Sequence, residues 1–313
     1  TEWGHRYFIE LFVDLDNLTG YYGRFLKSSL SSISNQNSGK LFIHTLLLYK
    51  GLQELNEPEI NSALSEVNKA SKEVNHVYPQ ARSLGYRALL GYLSNGQISK
   101  MLLQEIKHLL KKLIVNDNEK VSSYVAASLL LEGLFFTPYF TQVLSEIQEL
   151  DSSLTQRTSE LVGVTNFYKD YFSCLVAFAD ERLNPGKIGQ EEMVEKVCSL
   201  RKRVNELRFP YKKWTQLQIN KMSMQWFYGA GLVNNAEHCA ELALNTAKEM
   251  GFTFDELHLN VALAEIRSNL NSGSIEIVEK ERKFAENKLK KLGLKPLDLL
   301  NYRVQDKSLL QPA

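Results

Sequence analysis

The chain reads as a series of apolar stripes at helical spacing, each closed by a short polar break. Leu41 to Leu55 is apolar enough to predict a buried helix. Asn56 then supplies an N-cap, with Pro58 in the first turn and Glu59 in the capping-box position. The helix that follows turns Ala63, Leu64, Val67, Ala70 and Val74 to one side. Pro79 opens another helix, which Asn95-Gly96 ends, because glycine accepts the left-handed backbone of a helix stop. Ile98 to Val115 points Leu102, Leu103, Ile106, Leu109, Leu110 and Leu113 inward and its lysines outward. Lys120 to Phe136 is apolar nearly all round, as expected of a helix packed on several sides.

The second half continues the series. Thr137-Pro138 is expected to start a helix that fades near Leu150, and Ser153 with Gln156 to cap a long one through Arg182. Asn184-Pro185-Gly186 breaks that pattern, Gln190 to Leu207 follows, and Pro210 starts Tyr211 to Ala230. Asn234 to Phe252 has a polar start, a stripe of small apolar residues and the stop Gly251. Thr253 with Glu256 predicts a capped helix through Leu270, and Ser274 to Leu292 closes the series.

These helices pair. The second members of successive pairs start near residues 57, 97, 138, 189, 234 and 274, a spacing of roughly 40–50 residues that fits a helical-repeat array. Spacing this irregular also fits a non-repetitive helical domain. Ser31 to Gly39 is the most linker-like segment. The expected division is a helical cap or linker region over 1–36, the array over 37–295 and a C-terminal tail over 296–313. The expected fold is all-α, a right-handed α-α superhelix (solenoid) of degenerate hairpins.

One unit carries a family resemblance. Phe227 stands where a first helix carries an aromatic, Gly231 lies between the helices, and Ala236, Ala240 and Ala243 follow on the second. Alanines at this spacing let two helices approach closely while the aromatic fills the groove between them. The unit resembles a tetratricopeptide repeat, and ALNTAKEMGF looks like repeats in the sensor arms of large bacterial signalling regulators. Ser223 and Met224 depart from the pattern, no closing proline follows, and other units keep only the paired layout. The resemblance implies a concave face built from first helices, on which ligands or peptides lie.

Composition removes several classes. With 37 Lys+Arg against 36 Asp+Glu, the net charge of +1 gives no global attraction to nucleic acid or membrane. Cys174, Cys198 and Cys239 lie in helical patterns and do not form a disulfide framework, which favours a reducing compartment. No apolar run approaches the ~20 residues that span a bilayer. The chain opens on Thr1, so it is read as a segment of something longer.

Candidate chemistry is sparse. Asp14 and Asp16 imitate a phosphatase nucleophile loop, but the pattern before them is helical. Glu73/His76 and Glu105/His108 have metal-ligand spacing yet fall on polar helix faces. His238, Cys239 and His258 are defeated as zinc ligands because neighbours on a helix point apart. Two constellations remain. Gln218, Lys221, Gln225 and Tyr228 share a face of one helix and suit a concave binding surface. Arg201, Arg203, Arg208, Lys212, Lys213 and Trp214 gather around the Pro210 corner and suit an anionic ligand.

The expected function is therefore non-enzymatic: a protein- or peptide-binding module, the sensor or scaffold region of a cytoplasmic regulator, with a small signalling ligand as a further candidate. No cofactor, metal or membrane span is expected, and nucleic acid is disfavoured. The alternatives are an all-α enzyme with an atypical pocket, or an anion- or nucleic-acid-binding domain using the 201–214 corner.

Overall fold

The computed structural model describes residues 37–74, 77–115, 120–157, 164–206, 212–270 and 273–300. The cap expected over 1–36 and the tail from 301 onward lie outside the described residues. Among the described residues there are thirteen α-helices and no strand. In chain order they begin with α1 (Asn37–Gln53), α2 (Glu57–Ala70), α3 (Val77–Asn95), α4 (Lys100–Val115), α5 (Lys120–Leu134) and the single turn α6 (Tyr139–Gln142). They continue with α7 (Leu144–Arg157), α8 (Val164–Leu183), α9 (Gln190–Glu206), α10 (Lys212–Gly229), α11 (Val233–Met250), α12 (Thr253–Asn269) and α13 (Ile275–Lys290).

Burial sorts the helices into two kinds that alternate along the chain. α10 is buried from Trp214 to Phe227 apart from Gln216, and α1 is buried almost continuously from Leu41 to Gln53. α9, by contrast, buries only Met193, Val197, Leu200 and Val204, and α13 only Val278, Ala285 and Leu289. The physical cause is the sequence pattern: a helix apolar on all sides is stable only when wrapped, and one with a single stripe lies on the outside. Each enclosed helix has an outer companion: α1 packs on α2, α10 on α11, and α12 on α13.

The α10/α11 hairpin shows how closely such pairs sit. Ala236, Ala240, Ala243 and Ala247 are fully buried, and Phe227 is buried opposite them. Gly231 makes the turn with φ of 78° and Gly251 ends α11 with φ of 68°, both in the left-handed region. A closer crossing joins α3 to α5. A Cβ on Gly133 would stand 2.3 Å from the carbonyl carbon of Gly85, so glycine is required there.

The ends of the series meet. Tyr49 of α1 packs against Trp214 of α10 and Phe252 at the start of α12, with ring centroids 4.2 and 5.6 Å away. After α13 the chain returns over α3, where the Lys295 N–H donates to the Leu93 carbonyl at 2.7 Å. Leu294, Leu297, Leu299 and Leu300 are buried, so the segment assigned to a tail begins as part of the core.

Several expected helix ends differ. Asn56 Oδ1 does accept from the Glu59 N–H at 3.3 Å, but the Glu59 carboxylate accepts from Lys50 Nζ at 2.9 Å instead of closing a capping box. Ser153 lies inside α7 instead of starting a helix, and the next described helix is α8. Thr137 donates to the Leu134 carbonyl at 2.7 Å rather than capping, and the helical run that follows is interrupted at Val143, between α6 and α7. At α12 the N-cap is Phe252, with no side-chain cap bond. In each case a local motif yielded to the packing of the helix around it.

Candidate functional site

The strip expected to line an open concave face does not face solvent. Gln218, Lys221 and Gln225 are 8%, 6% and 1% exposed, and only Tyr228 is half-buried. α1, α12 and the end of α5 cover this side of α10. Within that enclosure Lys221 Nζ donates to Asp255 Oδ1 at 2.6 Å and stands 4.9 Å from the centre of the Phe136 ring. Asp255 Oδ2 accepts from Gln53 Nε2 at 2.9 Å and from the Tyr49 hydroxyl at 3.4 Å. Gln53 Oε1 in turn accepts the Asp255 N–H at 3.2 Å. One buried aspartate thus ties α12 to α1 and α10, its charge balanced by Lys221 and its lone pairs occupied.

Beside this pair is a group that sequence reasoning missed. Glu132 keeps part of its surface where it borders a cavity of about 20 Å³, shared with Tyr86, Gln218, Lys221, Asp255 and Leu297. Burial pushes its carboxyl up to about 7, although Arg82, the Trp214 N–H, Lys221 and the Tyr171 hydroxyl all pull the other way. Trp214 Nε1 lies 3.4 Å from Glu132 Oε2. Burial likewise raises the phenols of Tyr49, Tyr86 and Tyr171 well above their ordinary range, so they remain protonated. In the sequence Glu132 only interrupts an apolar run. A lone carboxylate on a helix apolar all round was the available signal, since such a group needs partners from elsewhere. Chemically the centre can share protons, but the cavity holds roughly one water.

The basic corner is dismantled by its own chain. Arg201 donates to Asn220 Oδ1 at 3.0 and 2.7 Å and to Cys239 Sγ at 2.9 Å. Arg203 pairs with Asp170, Lys212 donates to the Asn205 carbonyl at 2.7 Å, and Lys213 pairs with Glu249 at 3.0 Å. Trp214 turns inward and is buried among Tyr49, Phe252 and Glu132, so it offers no surface for stacking a base. Arg208 lies outside the described residues. Of the residues expected to gather for an anionic ligand, four cations pair with neighbouring groups and Trp214 lies in the core.

Among the described residues no three metal-capable side chains gather. Glu105 pairs with Arg87 at 3.0 Å, His238 is exposed while Cys239 is buried, and His76 lies outside the described residues. Cys174, Cys198 and Cys239 are free thiols. No described helix is long and apolar enough to cross a membrane. The chain was compared with family models, curated proteins and solved structures. None of them matches it. The functional reading therefore stands on the residues alone.

Proposed function

We propose that this chain is a non-enzymatic helical-repeat module that holds a protein or peptide partner, as the sensor or scaffold region of a larger cytoplasmic regulator. On this reading the hairpins form a right-handed, tetratricopeptide-like superhelix that closes on itself, because its first enclosed helix reaches the last. The alternation of enclosed and outer helices and the alanine stripe of α11 support it. Closure moves the binding surface away from the enclosed faces to the outer ones.

The observation that carries the reading is on α13. Ile277 and Phe284 are each 51% exposed, seven residues apart and therefore on one face. Most outer helices keep their large apolar residues inward, so this face is the natural seat for an apolar helix face of a partner. Glu279, Lys280 and Lys283 border Phe284 and would set the partner's orientation. A photocrosslinker placed at position 284 in the source cell should yield a discrete adduct with one protein, which Ile277→Asp removes. A correctly folded chain that gives no adduct, or one insensitive to Ile277→Asp, removes the reading.

An enzyme is the second reading, favoured by Glu132 held near neutrality among buried phenols. The neighbouring cavity of about 20 Å³ sets it below binding, because only a water-sized group fits.

A further inference from the structure

Among the described residues, Leu297 alone borders both the cavity of about 20 Å³ at Glu132 and a groove of about 280 Å³ between α12, α13 and the segment 296–300. Its buried side chain is the wall they share. Leu297 belongs to a stretch without helix that leaves α13 and crosses α3. Among the described residues one backbone hydrogen bond joins that stretch to another helix, from the Lys295 N–H to the Leu93 carbonyl at 2.7 Å. Pro296 has no N–H with which to add a second. The rest of the hold is apolar, through the buried side chains of Leu294, Leu297, Leu299 and Leu300. A segment tied so lightly opens at lower free energy than the helices beneath it.

The cavity side of this wall is crowded with polar groups. Arg82 and Tyr86 of α3, Tyr49 of α1, Tyr171 of α8, Trp214 and Lys221 of α10 and Asp255 of α12 surround Glu132. Lys221 is already paired with Asp255, and Trp214 Nε1 is a distant donor at 3.4 Å. These partners do not offset burial, so the Glu132 carboxyl is pushed up to about 7. Once its proton leaves, the charge needs water. Among the described lining residues, Leu297 and Phe136 alone lie outside a helix. Phe136 is held between the Phe135 ring and the Lys221 ammonium, with centroids 4.7 and 4.9 Å away. Leu297 is therefore the wall that can yield.

We propose that Leu297 is a gate worked by the charge on Glu132. With the carboxyl protonated, the segment 294–300 stays shut over the cavity. With the carboxylate ionised, the segment lifts, water enters, and cavity and groove become one space. The gate is separate from the partner face of α13, and neither reading depends on the other. The closed chain holds its proton up to about 7, whereas a solvated Glu132 releases it near 4.5. Opening is therefore favoured progressively as pH rises between those values and levels off above them. His258, held down at about 4, stays neutral from pH 5 upward and does not share in the switch.

The test follows hydrogen exchange of the Lys295 amide by NMR in the full chain from pH 5 to pH 8, with rates divided by those of an unstructured chain. The expected result is that its protection falls about tenfold or more across that range. The fall should depend little on low concentrations of urea, as a small local opening does. Glu132→Gln should keep the protection level with pH. Leu297→Ala breaches the wall, so the ¹³C carboxyl resonance of Glu132 should then titrate near 4.5 instead of about 7. Should Leu297→Ala fail to fold, the native and Glu132→Gln profiles decide alone. Level protection in the native chain or the same fall in Glu132→Gln overturns the proposal. So does a fall as steep in urea as global unfolding, or an unmoved Glu132 titration in a folded Leu297→Ala chain.

Discussion

The centre around Lys221 and the corner around Lys213 are built from the same kinds of residue, and the fold uses them in opposite ways. Lys221 and Asp255 pair at 2.6 Å with side chains 7% and 3% exposed. Lys213 and Glu249 pair at 3.0 Å with side chains 48% and 61% exposed. In the first pair water is excluded, so removing one partner strands a charge in a medium that cannot solvate it. In the second, water replaces either partner with little loss. The difference teaches that position in the packing, not charge or spacing, decides whether a polar group on this chain holds the fold or merely decorates it.

The sharpest way to break the comparison is Lys221→Met. It strands Asp255 and loosens α1 from α12, and it should cost about 3–5 kcal/mol in urea unfolding. Lys213→Met, measured the same way, sets the reference for an exposed pair.

Glu132 gives a test with a pH signature. Its carboxyl is held near 7 in the folded chain against an ordinary value near 4.5. Between those values the folded chain keeps a proton that the unfolded chain has lost. Stability therefore falls as pH rises through that window and is level above it. Glu132→Gln removes the penalty and keeps an acceptor for Trp214. Relative to the native chain, it should gain up to about 3 kcal/mol at pH 8 compared with pH 4. His258 slopes the other way, because its imidazole is held near 4 against 6.5 and the unfolded chain binds the extra proton. Its contribution is lost as pH falls from about 6.5 to 4, so thermal unfolding of His258→Phe should lack that acid loss. The groups facing Glu132 are Arg82, Lys221, Trp214 and Tyr171, and those facing His258 are Asp255 and Lys221. A Glu132→Gln chain with the native pH profile would mean that Glu132 is solvated.

Smaller effects follow. Gly133→Ala drives a methyl into the backbone of Gly85 and should cost about 1–3 kcal/mol by forcing α3 and α5 apart beside Glu132. Least of all, Arg203→Glu with Lys213→Glu reverses two exposed cations and should shift stability by about 1 kcal/mol or less. The same double reversal should leave binding to a generic single-stranded oligonucleotide unchanged, whereas a salt-sensitive loss would restore the corner as a nucleic-acid site.

What could be read from the sequence was local. The alanine stripe of α11, the stop at Gly251 and the N-cap at Asn56 each need only a few neighbouring residues, and each stands where expected. The apolar character of α1 and α5 likewise announced enclosed helices. The false capping box at Ser153 shows the limit of short motifs, since the helical run through it outweighs the cap. The contact of α1 with α10 and α12 had no local trace at all. Gln53 and Asp255 are 202 positions apart, and neither carries a mark of the other. For the same reason Lys221 looked like part of a surface strip, and Glu132 like a blemish in an apolar helix.

The central claim is that a satisfied, buried polar network clasps α1 to α10 and α12. A double-mutant cycle on Lys221→Met and Asp255→Asn in urea tests it most directly, with Lys213→Met and Glu249→Gln as the exposed reference. The account predicts a coupling above about 2 kcal/mol for the inner pair and below about 1 kcal/mol for the outer one. Equal and small couplings in both cycles would contradict it.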